Sequence, residues 1–391
     1  MPRTEHPWPS HTTVTLPWRS GVRGPRHDRE TTSVVASIPP RIARLPWAPD
    51  ADTAALLDRA AATVADLDGQ HGDRLAVLGR LLARTDAVAS SRIEDEHATL
   101  DDLARAVVGV RSNQSATVMV RAGAALETLV SSAASGMISE QALLAAHLRL
   151  MRDDPLDGRY AGRWRDVQNW IGGGATPRLA RHVPPPPALV PELMDDLFEF
   201  LHRDDLHPIA QAAIAHAQFE SIHPFTDGNG RIGRALVAAV LRRRGLARVV
   251  AAPVATALVA ERDRYFWHLD RYRRGAVDEW VRDLAIALGT VCDEATVTAL
   301  LLDEAAVATP PVLRAVDDPV VTEDRLEQLL GDDSRTIDTV TDDLCRAGVL
   351  RPATERRRRR AWVAVAVADE LTAFPDRVHD AVTHRANRVG W

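Results

Sequence analysis

The sequence predicts a mostly α-helical protein that ends in a small domain of two helices and a β-wing. From Ala51 to about residue 300, nearly every segment is rich in alanine and leucine and spaces its apolar residues with a helical period. Glycine-rich residues 158–174 and the four prolines at 184–187 interrupt this pattern. Because proline fixes φ and lacks an N–H donor, we expect an extended segment there.

Three regions differ in composition. Residues 1–45 are rich in Pro, Thr, Arg and His and lack a helical period, so they predict an irregular N-terminal arm. Residues 46–300 form the predicted helical domain. Pro310 and Pro311 mark a boundary, and residues 301–391 are assigned to the C-terminal domain.

Within the C-terminal domain, residues 322–330 and 334–347 have helical patterns, and residues 349–365 read as a β-wing. The break between the two helices at Gly331-Asp-Asp gives the proportions of a helix-turn-helix. The segment therefore predicts a winged helix-turn-helix domain.

The composition excludes several kinds of site. The chain has 391 residues and a formal net charge of −6, and all 48 basic residues are arginine. Without lysine there is no Walker-A or Schiff-base site, so phosphate must be bound by backbone amides and arginine. Two cysteines make no disulfide framework. With no secretory pattern and no apolar run near the roughly 20 residues that span a bilayer, we expect a cytoplasmic protein without a membrane partner.

Residues 223–234 carry most of the chemical information, and they read His-Pro-Phe-Thr-Asp-Gly-Asn-Gly-Arg-Ile-Gly-Arg. The apolar run at 235–241 indicates that the glycine turn opens a helix. Asp227, Arg231 and Arg234 are spaced i, i+4, i+7 and share one face of it. Since first-turn amides lack intrahelical acceptors and the macrodipole adds positive charge, this helix start suits phosphate.

Other interpretations of this segment fit less well. Gly-x-Gly-x-x-Gly at 228–233 matches the dinucleotide fingerprint, but a helical pattern precedes it and no carboxylate lies near position 253. A calcium loop beginning at Asp227 would place Ile232 sixth and Ala238 twelfth, where glycine and glutamate are needed. An ordinary turn would leave the histidine and both arginines without a role.

The twelve residues 223–234 resemble the signature of the Fic family (filamentation induced by cAMP), His-Pro-Phe-x-Asp-Gly-Asn-Gly-Arg-x-x-Arg, at every fixed position. Residues 162–174 and 182–187 are similar to the segment that forms the family's flap, and 264–269 to the helix lining its nucleotide pocket. The resemblance covers about residues 50–300. It implies an all-helical core with a small β-hairpin flap, and an ATP- and Mg²⁺-dependent protein adenylyltransferase.

The resemblance also implies residue roles. His223 would be the general base for a Ser, Thr or Tyr hydroxyl of the target protein. Asp227 would hold Mg²⁺, which prefers one or two carboxylates plus phosphate oxygens. The glycine-turn amides would cradle the α- and β-phosphates, Arg234 would bind the γ-phosphate, and Tyr265 would contact adenosine. The nucleotide-binding set is Asp227, Gly228, Asn229, Gly230, Arg231, Gly233, Arg234 and Tyr265.

Two further segments take roles from the resemblance. The flap at 172–182 would pair with the target's backbone as an added strand, its glycines fitting a mobile lid. Ser-Ser-Arg-Ile-Glu at 90–94 resembles the family's inhibitory pattern, in which Glu94 would bind Arg234 and displace the γ-phosphate. Position 95, aspartate, departs from the family's glycine or asparagine. The residues singled out are Ser90 and Glu94 for inhibition, and Gly172, Gly173, Gly174 and Thr176 for the flap.

Several alternatives stay open at this stage. The C-terminal domain resembles the winged-helix module of many Fic proteins, and arginines 356–360 could grip DNA, although Asp338, Asp342 and Asp343 favour a protein partner or a structural cap. The chain could therefore be a DNA-binding regulator with a nucleotide-sensing core. It could also use another nucleotide, remove AMP, or form a homodimer. Two Glu-x-x-His pairs, at 94–97 and 220–223, leave a di-metal oxidase as a further possibility.

Overall fold

The structure is a computed structural model, and it describes residues 8–19, 30–70, 75–109, 113–174, 176–308, 320–331, 334–354 and 360–389. Its helices are α1 (Ala51–Gln70), α2 (Leu75–Ile93), α3 (Leu100–Val107), α4 (Gln114–Ala133), α5 (Glu140–Met151), α6 (Val190–Leu201), α7 (Pro208–Ile222), α8 (Asn229–Arg243), α9 (Val254–Ala260), α10 (Arg262–Arg273), α11 (Val277–Ala308), α12 (Glu323–Leu330), α13 (Ser334–Arg346) and α14 (Val365–Val389). Its strands are β1 (Thr12–Pro17), β2 (Ser33–Ile38), β3 (Val320–Thr322), β4 (Leu350–Pro352) and β5 (Ala361–Ala364). The predicted mostly helical fold is confirmed.

The chain forms two compact units, each assembled from three segments. Unit 1 consists of Met1–Asp58, Thr128–Arg244 and Asp263–Ala285. Unit 2 consists of Arg59–Glu127, Gly245–Arg262 and Ile286–Trp391. The linear boundaries at 45 and 300 stay a prediction.

Unit 1 is built around α7. Every residue of this helix from Ile209 to Ile222 is buried. Its five alanines allow neighbouring helices to approach closely, and α8 packs along it. Trp280 of α11 fixes a third helix against α7, because its Nε1 donates to the Ala213 carbonyl at 2.7 Å. The core of unit 1 therefore lies on both sides of the helix that leads into residue 223.

The N-terminal segment of unit 1 corrects the sequence prediction. Residues 1–45 were expected to be irregular, yet β1 and β2 pair antiparallel over six residues each, from Thr12 opposite Ile38 to Pro17 opposite Ser33. Six of the twelve residues in β1 and β2 are Val or Thr, residue types that favour strands. The composition of the whole arm concealed these two short runs.

Unit 2 contains α2, which packs against α9 and α14, and a three-stranded antiparallel sheet in the order β3-β5-β4. Two apolar clusters hold the sheet. One joins it to α12 and α13 through Leu326, Ile337 and Trp362. The order of helix, helix and two strands follows the sequence prediction. The winged-helix assignment stays a prediction, and α14 was not anticipated.

One helix, α11, is long and apolar enough to cross a membrane by length and composition alone. The qualifying stretch is Val277–Glu304, and 56% of it is buried inside the protein. Its first turn carries Asp278 and Glu279. Partial burial and charge at one end are what a core helix of a folded protein also shows, so this single helix is weak evidence for a membrane span.

Candidate active site

The site begins where α7 ends. His223 follows Ile222 and adopts a left-handed conformation, with φ 51° and ψ 61°. Its N–H donates to the Phe219 carbonyl at 2.8 Å and closes the helix. A left-handed residue that is not glycine costs of order 1 kcal/mol or more, so the surrounding contacts must hold it. The chain therefore turns sharply at the predicted base.

Arg165 supplies those contacts. It is 3% exposed, and its Nε donates to the His223 carbonyl at 2.8 Å. Its Nη2 donates to the Pro185 carbonyl at 2.5 Å, and its own N–H donates to the Pro224 carbonyl at 2.8 Å. One guanidinium thus ties the turn to both ends of the flap segment. The sequence prediction did not single out Arg165.

The imidazole of His223 is held neutral. Burial, together with the positive charges of Arg165 and Arg273, lowers its pKa to about 3, against a weaker opposing effect of the Glu220 carbonyl. Its Nδ1 is buried, which leaves Nε2 as the nitrogen that can face a substrate. A neutral imidazole at physiological pH is the form that accepts a proton.

The glycine turn opens α8 as predicted. Gly228 is its N-cap residue, with φ 79°, and has no side chain to cap the first-turn amides. A Cβ on Gly228 would lie 3.0 Å from Leu150 Cδ2. Asn229 is 2% exposed, and its side chain exchanges two 2.8 Å hydrogen bonds with the backbone of Phe225. Asn229 therefore shapes the turn with its side chain, and only its backbone N–H is left for an anion.

His147 of α5 supports the same turn. It is 1% exposed, and its ring stacks on Phe225 with centroids 3.6 Å apart. The Gly162 N–H donates to Nδ1 at 2.9 Å, so Nε2 carries the proton and donates to the Asp227 carbonyl at 3.1 Å. Burial lowers the pKa of His147 to about 4, which agrees with a neutral ring. No sequence signal distinguished this histidine from an ordinary core residue.

Asp227 and Arg231 form an ion pair at the mouth of α8. Arg231 Nη2 lies 3.1 Å from Asp227 Oδ2, and the Asp227 side chain is 53% exposed. No group of three or more His, Cys, Asp or Glu side chains suited to a metal occurs in the part of the chain that is described. A single exposed carboxylate does fit a Mg²⁺ ion whose other ligands are phosphate oxygens and water. The same finding leaves the di-metal interpretation without a ligand cluster among the described residues.

Two of the predicted nucleotide-binding residues of α8, Gly233 and Arg234, are buried, whereas Gly230 is partly exposed. Arg234 is 1% exposed, so a phosphate could reach it only after neighbouring groups move. Gly233 lies where α8 meets α7, and a Cβ there would lie 3.0 Å from Phe219 Cδ1 and collide with the Glu220 carboxylate. Its small size therefore has a packing reason.

Tyr265, for which an adenosine contact is predicted, is buried in this structure, and the contact stays a prediction. It is 2% exposed, and its hydroxyl lies 3.0 Å from His216 Nε2. Its ring also lies against Trp280, with centroids 5.9 Å apart. The aromatic ring of Tyr265 is a core element of unit 1, and no face of it is open to a nucleotide.

The flap is a compact loop with one bridge instead of the expected hairpin. Ile171 and His182 form that bridge, and the Ile171 N–H donates to the His182 carbonyl at 2.9 Å. Gly172, Gly173 and Gly174 all have φ between 72° and 79°. A Cβ on Gly173 would lie 2.5 Å from the Ala180 nitrogen. A positive φ favours glycine at all three positions, and a close backbone approach requires it at Gly173. The mobile lid stays a prediction, and Thr176 is buried.

The predicted inhibitory residues belong to unit 2, at the end of α2. Ser90 is buried and Glu94 is exposed. Asp95 is left-handed, with φ 63°, a conformation that glycine and asparagine adopt most easily. Aspartate also adopts the left-handed conformation more easily than most residues. Asp95 therefore keeps the backbone conformation that glycine or asparagine would have at this position. Arg262 holds both carboxylate oxygens of Asp95, at 2.7 and 2.8 Å, and lowers its pKa.

The basic run of the C-terminal domain is described at Arg360 alone, because 356–359 lie outside the described residues. Arg360 Nη2 lies 2.6 Å from Glu323 Oε1, and its Nη1 also contacts Asp338. This arginine is therefore neutralised by two acidic groups, and DNA binding by the run stays a prediction.

Comparison with known proteins agrees with the geometry of unit 1. Residues 137–241 match the family model described as the Fic/DOC family. The chain is 33% identical over 147 residues to proteins named protein adenylyltransferase Fic from Drosophila virilis and Drosophila yakuba. This is 37% of the chain but 27% and 26% of those relatives, so the match spans about a quarter of their length.

Two solved structures share the fold. A Fic family protein from Desulfovibrio desulfuricans G20 superposes with a TM-score of 0.53 and 24% identity, over 82% of this chain and 98% of that one. Fic-1 from C. elegans superposes with a TM-score of 0.51 and 22% identity, over 66% of this chain and 74% of that one. At these identities the likeness concerns the fold.

Proposed function

We propose that this chain, whose residues 137–241 form a Fic/DOC domain, transfers AMP from ATP to a hydroxyl group of a target protein. The proposal depends on one observation. A neutral His223 ends α7, and Gly228 begins α8 shortly after it in the chain. The first element can accept a proton and the second can bind a polyphosphate. The relatives named protein adenylyltransferase support the same reaction class.

The reaction joins a Ser, Thr or Tyr oxygen of the target to the α-phosphorus of ATP. The bond from the α-phosphorus to the bridging oxygen breaks, and pyrophosphate leaves. His223 Nε2 accepts the hydroxyl proton as the new bond forms. General base catalysis of this kind commonly contributes roughly 10²- to 10⁴-fold.

The anion is bound by the start of α8. The N–H groups of Gly228, Asn229 and Gly230 lack intrahelical acceptors and lie at the positive end of the helix dipole. Asp227 would hold Mg²⁺, which supplies charge neutralisation to the phosphates. Arg231 already contacts Asp227 in this structure. Its guanidinium would exchange that partner for a phosphate group, whose oxygens accept hydrogen bonds from arginine as carboxylate oxygens do.

The proposal includes restraint by Glu94. Its support is the sequence pattern at 90–94 and the left-handed Asp95, the backbone form that the family's glycine or asparagine favours. Glu94 would compete with the γ-phosphate for Arg234, because one guanidinium cannot serve both anions equally. The burial of Arg234 is consistent with a site that needs rearrangement before it binds nucleotide.

The test uses the full-length chain with ATP labelled at the α-phosphate, a lysate of the source organism, and four proteins: wild type, Glu94→Gly, His223→Ala and the double variant. We expect at least about tenfold more protein-bound label with Glu94→Gly than with wild type, and none with either His223 variant. Circular dichroism confirms that each variant is folded.

Two outcomes separate the parts of this proposal. Folded Glu94→Gly that incorporates no label from ATP, whether into itself or into lysate proteins, contradicts the transferase assignment. Equal incorporation by wild type and Glu94→Gly removes the restraint alone. Parallel reactions with labelled GTP, CTP and UTP identify the preferred donor.

A further inference from the structure

The N-terminal hairpin of unit 1 packs directly on the flap. Val34 and Ala36 of β2 are buried with Val183 in one apolar cluster, at 6%, 0% and 8% exposure. The Ser37 N–H donates to the Val183 carbonyl at 2.8 Å. A strand from the start of the chain thus continues the backbone hydrogen bonding of the segment that leaves the flap.

Two tryptophans join the same elements. Trp18, just after β1, meets Trp170, just before the flap, edge to face with centroids 5.3 Å apart. Aromatic pairs in this geometry add stabilisation beyond the area that they bury. Trp170 in turn donates from Nε1 to the Gly174 carbonyl at 2.9 Å. Trp18 therefore supports the indole that holds the glycine turn of the flap.

The opposite end of the flap is fixed independently. Arg181 Nε lies 2.9 Å from Asp270 Oδ2, and its guanidinium carbon lies 5.1 Å from the centre of the Phe266 ring. The loop is therefore held by α10 on one side and by the hairpin on the other. Within the described flap residues, backbone pairing across the loop is limited to Ile171, which bridges His182 and also accepts the Arg181 N–H at 2.7 Å. Since one bridge is marginal alone, outside contacts must determine its conformation.

We propose that the β1–β2 hairpin is a positioning element that fixes the flap in the conformation that receives the target protein. Trp18 and Val34 are its positioning residues, and both lie outside the 223–234 motif. That the hairpin affects target modification rests on the proposed transferase function. That the hairpin fixes the flap can be tested without any catalysis.

Alternation along β2 supplies a matched control. Val34 is 6% exposed and faces the flap, whereas Val35 is 58% exposed on the other face of the same strand. Val34→Ala removes flap contacts, and Val35→Ala makes the same chemical change away from the flap. Trp18→Ala is the stronger test, and the milder Val34→Ala serves if the tryptophan variant does not fold.

Hydrogen exchange followed by mass spectrometry measures how well the flap amides are protected from solvent. We expect the peptide containing the Ile171, Arg181 and His182 amides to exchange about tenfold faster in Trp18→Ala and Val34→Ala. Peptides from α5 should be unchanged, and Val35→Ala should match wild type. Unchanged exchange of the flap peptide in both folded hairpin variants overturns the proposal.

The effect on function is measured after Trp18→Ala or Val34→Ala is combined with Glu94→Gly. We expect calorimetric affinity for Mg²⁺–ATP to stay within about twofold, and labelling of lysate proteins to fall about tenfold. Faster flap exchange without any loss of labelling overturns the positioning role. If Glu94→Gly itself labels nothing, the transferase proposal has failed, and the exchange experiment still decides whether the hairpin fixes the flap.

Discussion

His147 donates a hydrogen bond from Nε2 to the carbonyl oxygen of Asp227, over 3.1 Å. The other ring nitrogen accepts the Gly162 N–H at 2.9 Å. The imidazole therefore links Asp227, the residue before the glycine turn, to Gly162 in the segment that leads to the flap. A nucleotide bound at α8 would meet amides whose orientation this ring determines.

We expect His147→Ala to weaken Mg²⁺–ATP binding about tenfold, because the turn loses a buried hydrogen bond and the ring stacked on Phe225. His147→Gln is the matched variant, since its side-chain amide can still donate to the Asp227 carbonyl. It should recover part of the affinity in calorimetry with the Glu94→Gly protein. Equal affinity of the alanine variant and the parent would show that the turn does not depend on His147.

A substitution at Tyr265 tests whether this side chain stabilises the core of unit 1. Tyr265→Phe removes the contact with His216 but keeps the ring. We expect the free energy of unfolding to fall by about 1 kcal/mol, the typical net contribution of a hydrogen bond. Affinity for Mg²⁺–ATP should not change. Urea unfolding and calorimetry measure the two quantities. A drop in affinity without a drop in stability would restore the predicted adenosine contact.

Gly233 tests the close approach of α8 to α7. A Cβ at this position would lie 3.0 Å from Phe219 Cδ1. We expect Gly233→Ala to lower the free energy of unfolding by roughly 1–3 kcal/mol, as overpacking usually does. Gly69 of α1 is the control, because nothing lies within 4 Å of its Cβ position. Gly69→Ala should be neutral or slightly stabilising. Equal stability of the two alanine variants would exclude the packing role.

Much of the helical fold and the position of the glycine turn could be predicted from the sequence. The α7–α8 pair is marked by continuous apolar periodicity, and the turn between them by glycine and by His223. Such local patterns report local structure directly. The order of α12, α13, β4 and β5 was predicted in the same way.

Contacts between distant segments could not be predicted. Arg165 and His147 shape the turn from 58 and 80 residues away, counted to His223 and Asp227. Spacing within a helix identifies which residues share a face, but not which face meets another element. Tyr265 lies on the side of its helix that faces the core, which the spacing within that helix could not indicate. The hairpin was missed because its strands are six residues each within a longer irregular composition.

Buried histidines predict how stability depends on pH. Burial lowers the pKa to about 4 at His147 and to about 3 at His11, His216 and His223, from an ordinary value of 6.5. In the unfolded chain these groups gain protons as the pH falls through 6.5, whereas in the folded chain they stay neutral. The unfolded state then binds more protons, so the free energy of unfolding falls as the pH falls.

The contribution of the neutral histidines to the free energy of unfolding is complete above about pH 6.5. It is lost as the pH falls from there to the folded-state pKa values near 4 and 3. Urea unfolding at pH 7.5, 6.5 and 5.5 measures its first part, above the range near 4 where ordinary carboxyl groups titrate. We expect the urea midpoint to drop between pH 6.5 and 5.5 and to change little between 7.5 and 6.5. Burial also lowers the pKa of His182 and His207. His147→Gln lacks one of these groups, so its midpoint should depend less steeply on pH. A midpoint that is constant or rises on acidification would show that burial does not keep these rings neutral, because the folded state would then bind at least as many protons as the unfolded state.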